Sequence, residues 1–269
     1  MRHHTLLAIG HERIHDGSME NHEYATLARV EETHPWFVNR RRMVLGLVRR
    51  FASHLAQPRI LDAGSGTGVN LADYAALGAA VGIELDFAAA SLSHQRGNRH
   101  VAVGDLCRLP FETGRFDLVI STDVIEHIAD DVQALSEMHR VLVPQGRILL
   151  TTPAYSWAYS SHDRFLHHVR RYDEVKLLGA IGRASLRVVH SSRYNVLLGG
   201  PLFLARWLND RIARTPPTAS DVGRPVPGFA ARALDWIWRL EATLAPRVDW
   251  RFGLTHVVVL ADRDAIESS

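Results

Sequence analysis

Cysteine is almost absent from this chain: Cys107 stands alone among 269 residues. One thiol excludes an internal disulfide and any zinc or iron–sulfur site built from cysteine, and it suits a reducing cytoplasm. Lysine is equally scarce. Lys176 is the only one, so 30 of the 31 basic residues are arginine, which all but removes Schiff-base chemistry. No run of 18 apolar residues exists, so stable membrane insertion is not expected. Charge of one sign is not in excess either. The formal net charge of +2 gives a nucleic-acid partner no support. The apolar stretch near Met1 is too short for a secretory signal, and residues 1–18 read as a poorly ordered leader, with Met19 as an alternative start.

What is present is an ordinary globular composition, 46% hydrophobic and 22% charged. It suffices for one large domain, or a domain with an appended lobe. From Tyr24 to Leu55 the pattern is helical, interrupted at Thr33-His34-Pro35, and Met43, Val44, Leu47, Val48 and Phe51 share one face. Short apolar runs at Arg59–Asp62, Ala80–Glu84, His100–Gly104, Phe116–Ser121 and Gly146–Thr152 predict buried strands. Helical stretches near Val69–Leu77, Phe87–His94 and Val132–Leu142 separate them. Such alternation implies right-handed crossovers and a parallel sheet covered on both faces. A helix at Asp173–Ile181 and a strand at Leu186–Ser191 follow, and Thr255–Ala261 is the strongest β-run. Between these last strands lies a stretch with Trp207, Trp236, Trp238 and Trp250, a turn-rich centre at Thr215-Pro-Pro-Thr, and helical patterns near Leu202–Arg214 and Ala230–Leu244. The expected division is a leader and helical cap over 1–56, a core over 57–192, a helical insertion over 193–252, and a final strand and tail over 253–269.

The first strand ends in Asp62-Ala63-Gly64-Ser65-Gly66-Thr67-Gly68. Glycines at a strand-to-helix turn let a ligand approach the backbone, and the helix start offers free N–H groups. A dinucleotide fingerprint would need its third glycine at position 69, where Val69 stands. The second strand ends in Glu84-Leu85-Asp86, whose first acid can accept both hydroxyls of a ribose. The third ends in Gly104-Asp105-Leu106, ahead of Leu109-Pro110-Phe111: an acid for an adenine amino group beside an apolar wall. The fourth runs into Thr122-Asp123-Val124-Ile125-Glu126-His127. Strand ends of this kind converge on one cleft.

In this order the motifs of residues 57–152 resemble the core of a class I S-adenosylmethionine-dependent methyltransferase. The resemblance implies an α/β, Rossmann-like seven-stranded sheet, mostly parallel with the last strand antiparallel. It implies that Gly64, Gly66 and Gly68 line the methionine part of the cofactor, with Ser65 a further cofactor contact and Asp62 either touching the ligand or orienting the loop through backbone N–H groups. Glu84 would hold the ribose and Asp105 and Leu106 the adenine, with Leu85 a further cofactor contact, and Thr122 or Asp123 would border the sulfonium. Gln145 departs from the family, which often has a second glycine there. His34-Pro35-Trp36-Phe37 with Arg40-Arg41 resembles the N-terminal cap of bacterial members. His162-Asp163…His168-Val169-Arg170-Arg171-Tyr172 resembles a segment after their fifth strand.

Imidazole titrates near neutral pH, so His127, His162 and His168 are candidate bases for the acceptor's proton. Trp36, Phe37, Arg170, Arg171 and Tyr172 are candidate acceptor contacts, the arginines as clamps for a phosphate or carboxylate. The bland alternatives are a satisfied helix-start histidine, arginines paired with acids, and a packing ring at Tyr172. Asp123, Glu126 and His127 loosely resemble a cation site of quinone-pathway O-methyltransferases, but no metal is expected. The insertion's tryptophans read as core, or as a weak interfacial surface. The expectation is methyl transfer to a small-molecule acceptor, on oxygen ahead of nitrogen, with a nicotinamide oxidoreductase and a non-catalytic cofactor-binding protein as rivals. A base-clamping Asn/Asp-Pro-Pro-Tyr/Phe element after the fourth strand is missing, so nucleic acid is not the expected substrate.

Overall fold

The structure, a computed structural model, describes residues 28–201, 203, 204, 208 and 228–265. The leader expected over 1–18, Trp207, the Thr215 turn and most of the Leu202–Arg214 helix lie outside the described residues. Helix α1 (Pro35–Ala52) starts where proline fits, at the first helical position, and the His34 ring caps it by accepting the Trp36 N–H at 3.2 Å. There follow β1 (Arg59–Ala63), α2 (Leu71–Ala75), β2 (Ala79–Glu84), α3 (Phe87–Gln95), β3 (Val101–Val103) and β4 (Phe116–Thr122). A 3-10 turn at Ile125–His127 leads to α4 (Asp131–Val141) and β5 (Leu142–Pro153). The chain continues through α5 (Ser161–Phe165), α6 (Glu174–Arg183), β6 (Leu186–Tyr194), α7 (Gly228–Leu244) and β7 (Thr255–Asp262).

The seven strands form one sheet in the order β3-β2-β1-β4-β5-β7-β6. Strands β1 to β5 pair in parallel, and β7 runs antiparallel to both β5 and β6. The order reverses between β1 and β4, which opens a crevice at the strands' carboxyl ends. The α/β sheet with an antiparallel last strand is the one expected. Strand β5 starts earlier than its sequence suggests, because Leu142 pairs with Phe116 across a register shift. Val143-Pro144-Gln145 is therefore extended backbone, not a turn.

Apolar side chains cover both faces. On one, Ala134, Leu135 and Met138 of α4 and Leu177 and Ile181 of α6 pack over Leu61, Val119, Ile148 and Leu150. On the other, Met43, Val44 and Leu47 of α1, Tyr74 of α2, and Trp238 and Ala242 of α7 cover Ile60, Leu118, Ile120 and Val257. Burial of this kind contributes about 25 cal/mol per Å² of apolar surface. Helix α7, within the stretch expected as an insertion, is thus part of the sheet's second layer. Asn39 of α1 donates to Asp235 of α7 at 2.9 Å, joining cap and insertion. The tryptophans divide accordingly: Trp238 is core, while Trp236 is 64% exposed.

Candidate cofactor and acceptor site

Strand β1 delivers a glycine turn to the crevice. Gly64, Gly66 and Gly68 all have positive φ, at 84°, 54° and 74°, a region that side chains rarely occupy. They serve different ends. A Cβ at Gly68 would collide with Ser93 and Asn98, whereas one at Gly66 would meet no atom within 4 Å. Gly68 therefore allows close packing against α3, and Gly66 faces open space.

Glu84 at the end of β2 bends toward this turn. Its Oε2 accepts the Gly66 N–H at 2.8 Å and its Oε1 the Asp86 N–H at 3.0 Å. Asp86 in turn caps α3, accepting from Ala88 and Ala89. Burial, opposed by the backbone hydrogen bonds, leaves the Glu84 carboxyl above its ordinary value. Behind it Asp62 is wholly enclosed. Burial, and then the charge of Glu84, push it up to about 7. Asp62 Oδ2 and Ser65 Oγ are buried without hydrogen-bond partners, a cost normally offset by something that meets them. Asp105, after β3, is exposed and turns its Oδ1 to the Cys107 N–H at 2.8 Å, while Leu106 is buried beneath. Leu85 lies 47% exposed at the mouth. A left-handed acid-lined turn, unpaired polar atoms and an apolar wall fit an adenosyl group carrying a methionine tail.

The cap closes on this crevice through polar contacts. Thr67, inside the glycine turn, donates its hydroxyl to the buried Glu31. Arg40 of α1 lies over the Trp36 ring, 4.6 Å from its centroid, and ion-pairs with Asp123 just past β4. Phe37 packs edge-on against Trp36 with centroids 4.7 Å apart. Asp123 itself has φ 56°, and its Oδ1 accepts the Thr151 hydroxyl at 3.0 Å. Thr122 is the last residue of β4. Sequence reasoning missed the working roles of Glu31 and Arg40. Their signal was the spacing Glu31…Trp36-Phe37…Arg40, which puts an acid just before a proline-started helix and a base in its second turn.

The segment after β5 corrects part of the acceptor reading. Tyr172 is 1% exposed, its ring in the core and its hydroxyl donating to Asp131 at 2.7 Å. Arg171 is buried too, and its Nε donates to Asp163 at 2.7 Å. Both side chains are consumed by structure and do not face an acceptor. Arg170 pairs with Asp131 at 2.8 Å and donates to the Ala129 carbonyl at 2.7 Å.

His162, on α5, is half-buried. His168 is buried, with Nδ1 2.8 Å from Asp163 Oδ1. Burial alone would raise the Asp163 carboxyl. The His168 and Arg171 contacts outweigh it and hold the group well below the usual carboxylate range. His127 meets His168 edge-on, with ring centroids 4.7 Å apart. Crowding by protein, then the neighbouring His168, lower His127 to about 4 although part of its ring reaches solvent. His127 and His168 come together; His162 is not in that group.

Residues 61–150 match the model of a methyltransferase domain family. Over these residues the chain is similar to S-adenosylmethionine-dependent methyltransferases. One relative is a Mycolicibacterium smegmatis protein named a probable S-adenosylmethionine-dependent methyltransferase, 37% identical over 134 residues, 48% of this chain and 49% of that one. A demethylmenaquinone methyltransferase of Beutenbergia cavernae is 35% identical over 104 residues, 36% of this chain and 43% of its own. The matches thus span half or less of these curated relatives' length. A solved fold neighbour is the Haemonchus contortus phosphoethanolamine N-methyltransferase 2 in complex with S-adenosyl-L-methionine. Its TM-score is 0.53 at 19% identity, covering 81% of this chain and 51% of that one.

Proposed function

We propose that this chain transfers a methyl group from S-adenosylmethionine to an oxygen of a small-molecule acceptor, in the cytoplasm. The observation that carries the reading is the Glu84 carboxylate drawn onto the Gly66 turn above the unpaired Asp62 oxygen. In this reading Glu84 accepts the ribose hydroxyls, with Leu85 alongside. Asp105 and Leu106 receive the adenine. Asp62, Gly64, Ser65, Gly66 and Gly68 hold the methionine end, and Thr122 and Asp123 border the reacting centre. Of the cap expected over 1–56, α1 closes over the core of 57–192 through Trp36 and Phe37. Of the insertion expected over 193–252, α7 shapes the acceptor side, and β7 is the final strand expected within 253–269.

S-adenosylmethionine supplies a methyl carbon already activated by its sulfonium. What the chain must add is mainly alignment and the exclusion of water. Orientation can contribute about 7–11 kcal/mol, against the typical ~10²–10⁴-fold from a general base. Positioning by the cap therefore outweighs any one histidine. A hydroxyl acceptor still loses a proton, and the polar cluster of His127 and His168 at the end of β4 supports oxygen as the nucleophile. The proton passes to that pair or to water. The name of the Beutenbergia cavernae relative supports a small-molecule acceptor.

Calorimetric titration with S-adenosylhomocysteine and, separately, NADH tests the cofactor. Binding of the first alone is expected, and binding of NADH alone overturns the reading. An acceptor screen with labelled methyl donor tests the chemistry. Label on a hydroxyl is expected, label on nitrogen overturns the oxygen assignment, and cofactor binding with no transfer to any acceptor points to a non-catalytic protein.

A further inference from the structure

The cofactor cleft leaves one set of side chains unexplained: Glu126, His127 and His168. Each offers a donor atom, and the three lie within 4.8 Å of one another. Glu126 is wholly buried. Its Oε2 accepts the Thr152 hydroxyl at 3.0 Å, whereas Oε1 is sealed from solvent with no hydrogen-bond partner. An unpaired carboxylate oxygen in the interior is costly unless a positive group meets it. Arg40 could have served, but its guanidinium is paired with Asp123.

His168 is oriented as a metal ligand is, and His127 meets it edge-on. The Asp163 carboxylate, also bound by Arg171, can only accept, so His168 Nδ1 carries the proton and Nε2 presents a lone pair. A metal-bound histidine usually hands its second N–H to a carboxylate or a carbonyl, as His168 does to Asp163. The backbone fixes the group as well. The Val169 N–H donates to the Glu126 carbonyl at 2.8 Å, which ties the 3-10 turn to the segment after α5. His167, between them, has φ 56°, the left-handed bend that lets His168 turn inward. Asp123, the acid that sequence spacing sets beside Glu126 and His127, is no donor, because Arg40 and Thr151 occupy its oxygens.

We propose that Glu126, His127 and His168 form a binding site for a divalent transition cation, held by two imidazole nitrogens and one carboxylate oxygen. This donor set suits zinc or cobalt rather than magnesium, which prefers oxygen ligands and retains its waters. Ligand bonds of about 2.0–2.2 Å put tetrahedral donors roughly 3.4 Å apart, so side-chain rotation must draw the three together. Three protein ligands leave a fourth position open. On the methyltransferase reading, that position can take the acceptor oxygen and lower its pKa. The two imidazoles then do not accept the proton, which goes to water. Binding of the ion itself does not depend on that reading.

The test is a cobalt(II) titration of the full chain after chelator treatment, followed by its visible ligand-field absorption, with S-adenosylhomocysteine affinity measured in parallel by calorimetry. One ion per chain is expected. H168Q, E126Q and H127Q should each weaken uptake at least tenfold, and D163N roughly 10–100-fold through orientation alone. His127 is exposed on one edge, so H127Q serves if a buried substitution unfolds the chain. No stoichiometric absorption, or uptake unchanged in folded H168Q, E126Q and H127Q, overturns the site. The second outcome would place the ion elsewhere, such as His3, His4, His11 and His15 near the start of the chain. Cobalt uptake without S-adenosylhomocysteine binding supports the cation site and removes the methyltransferase reading instead.

Discussion

Glu84 accepts the N–H of Gly66 at 2.8 Å, so one carboxylate ties the end of β2 to the turn that follows β1. Replacing Glu84 with alanine removes that contact and the proposed ribose acceptor together. Hydrogen bonds to a charged group contribute about 1.5–3 kcal/mol each, so S-adenosylhomocysteine affinity should fall roughly 10²-fold in calorimetry. A near-normal dissociation constant would end the ribose assignment.

Gly66 and Gly68 should respond differently to alanine. Both have positive φ, with a strain of about 1–2 kcal/mol for a side chain. At Gly66 the new methyl meets no atom, so G66A should fold and lose cofactor affinity by entering the ligand's space. At Gly68 it strikes Ser93 and Asn98. G68A should therefore lower the melting temperature by several degrees more than G66A. Equal melting temperatures would contradict this division.

Tyr172→Phe should cost about 1–2 kcal/mol, because the Asp131 carboxylate loses a buried donor. S-adenosylhomocysteine affinity and the KM of an acceptor should not change. A raised acceptor KM with unchanged stability would return Tyr172 to the acceptor surface.

His256 of β7 sits opposite Arg193 of β6. Its Nδ1 accepts from that guanidinium, so Nε2 carries the proton and donates to the Tyr172 carbonyl at 2.8 Å. Burial, and then the Arg193 charge, lower its pKa from 6.5 to about 4. Between these values the unfolded chain binds the extra proton and the native one does not, so stability rises with pH there and is lost as pH falls from about 6.5 toward 4. His127 adds a slope of the same sign. Urea melts across this range should show a shallower pH dependence in His256→Gln than in the parent chain. An unchanged slope would exclude the lowered His256 pKa.

The sheet was legible because strands β1 to β3 are short apolar runs that run into a glycine or an acid, as at Ile60-Leu61-Asp62 and Ile83-Glu84. The same pattern exposed the cofactor candidates, since an acid right after an apolar strand has only the crevice to face. The segment after β5 was harder. Arg171 and Tyr172 look like surface residues in the sequence, and only distant Asp163 and Asp131 show that they are buried and satisfied. The meeting of His127 with His168 was equally hidden. It depends on a left-handed residue at His167 and a backbone bond across 43 positions, from Val169 to Glu126. Hydropathy carries no trace of either.

Strand β7 sits between β5 and β6, which imposes an order on assembly. Until residues 255–262 arrive, β5 and β6 each present a bare row of amides and carbonyls to the solvent, and such edges recruit other chains. A truncation just before Thr255 would therefore remove more than one strand. It would leave a split sheet prone to self-association during synthesis, with the His256 tether to Tyr172 gone as well.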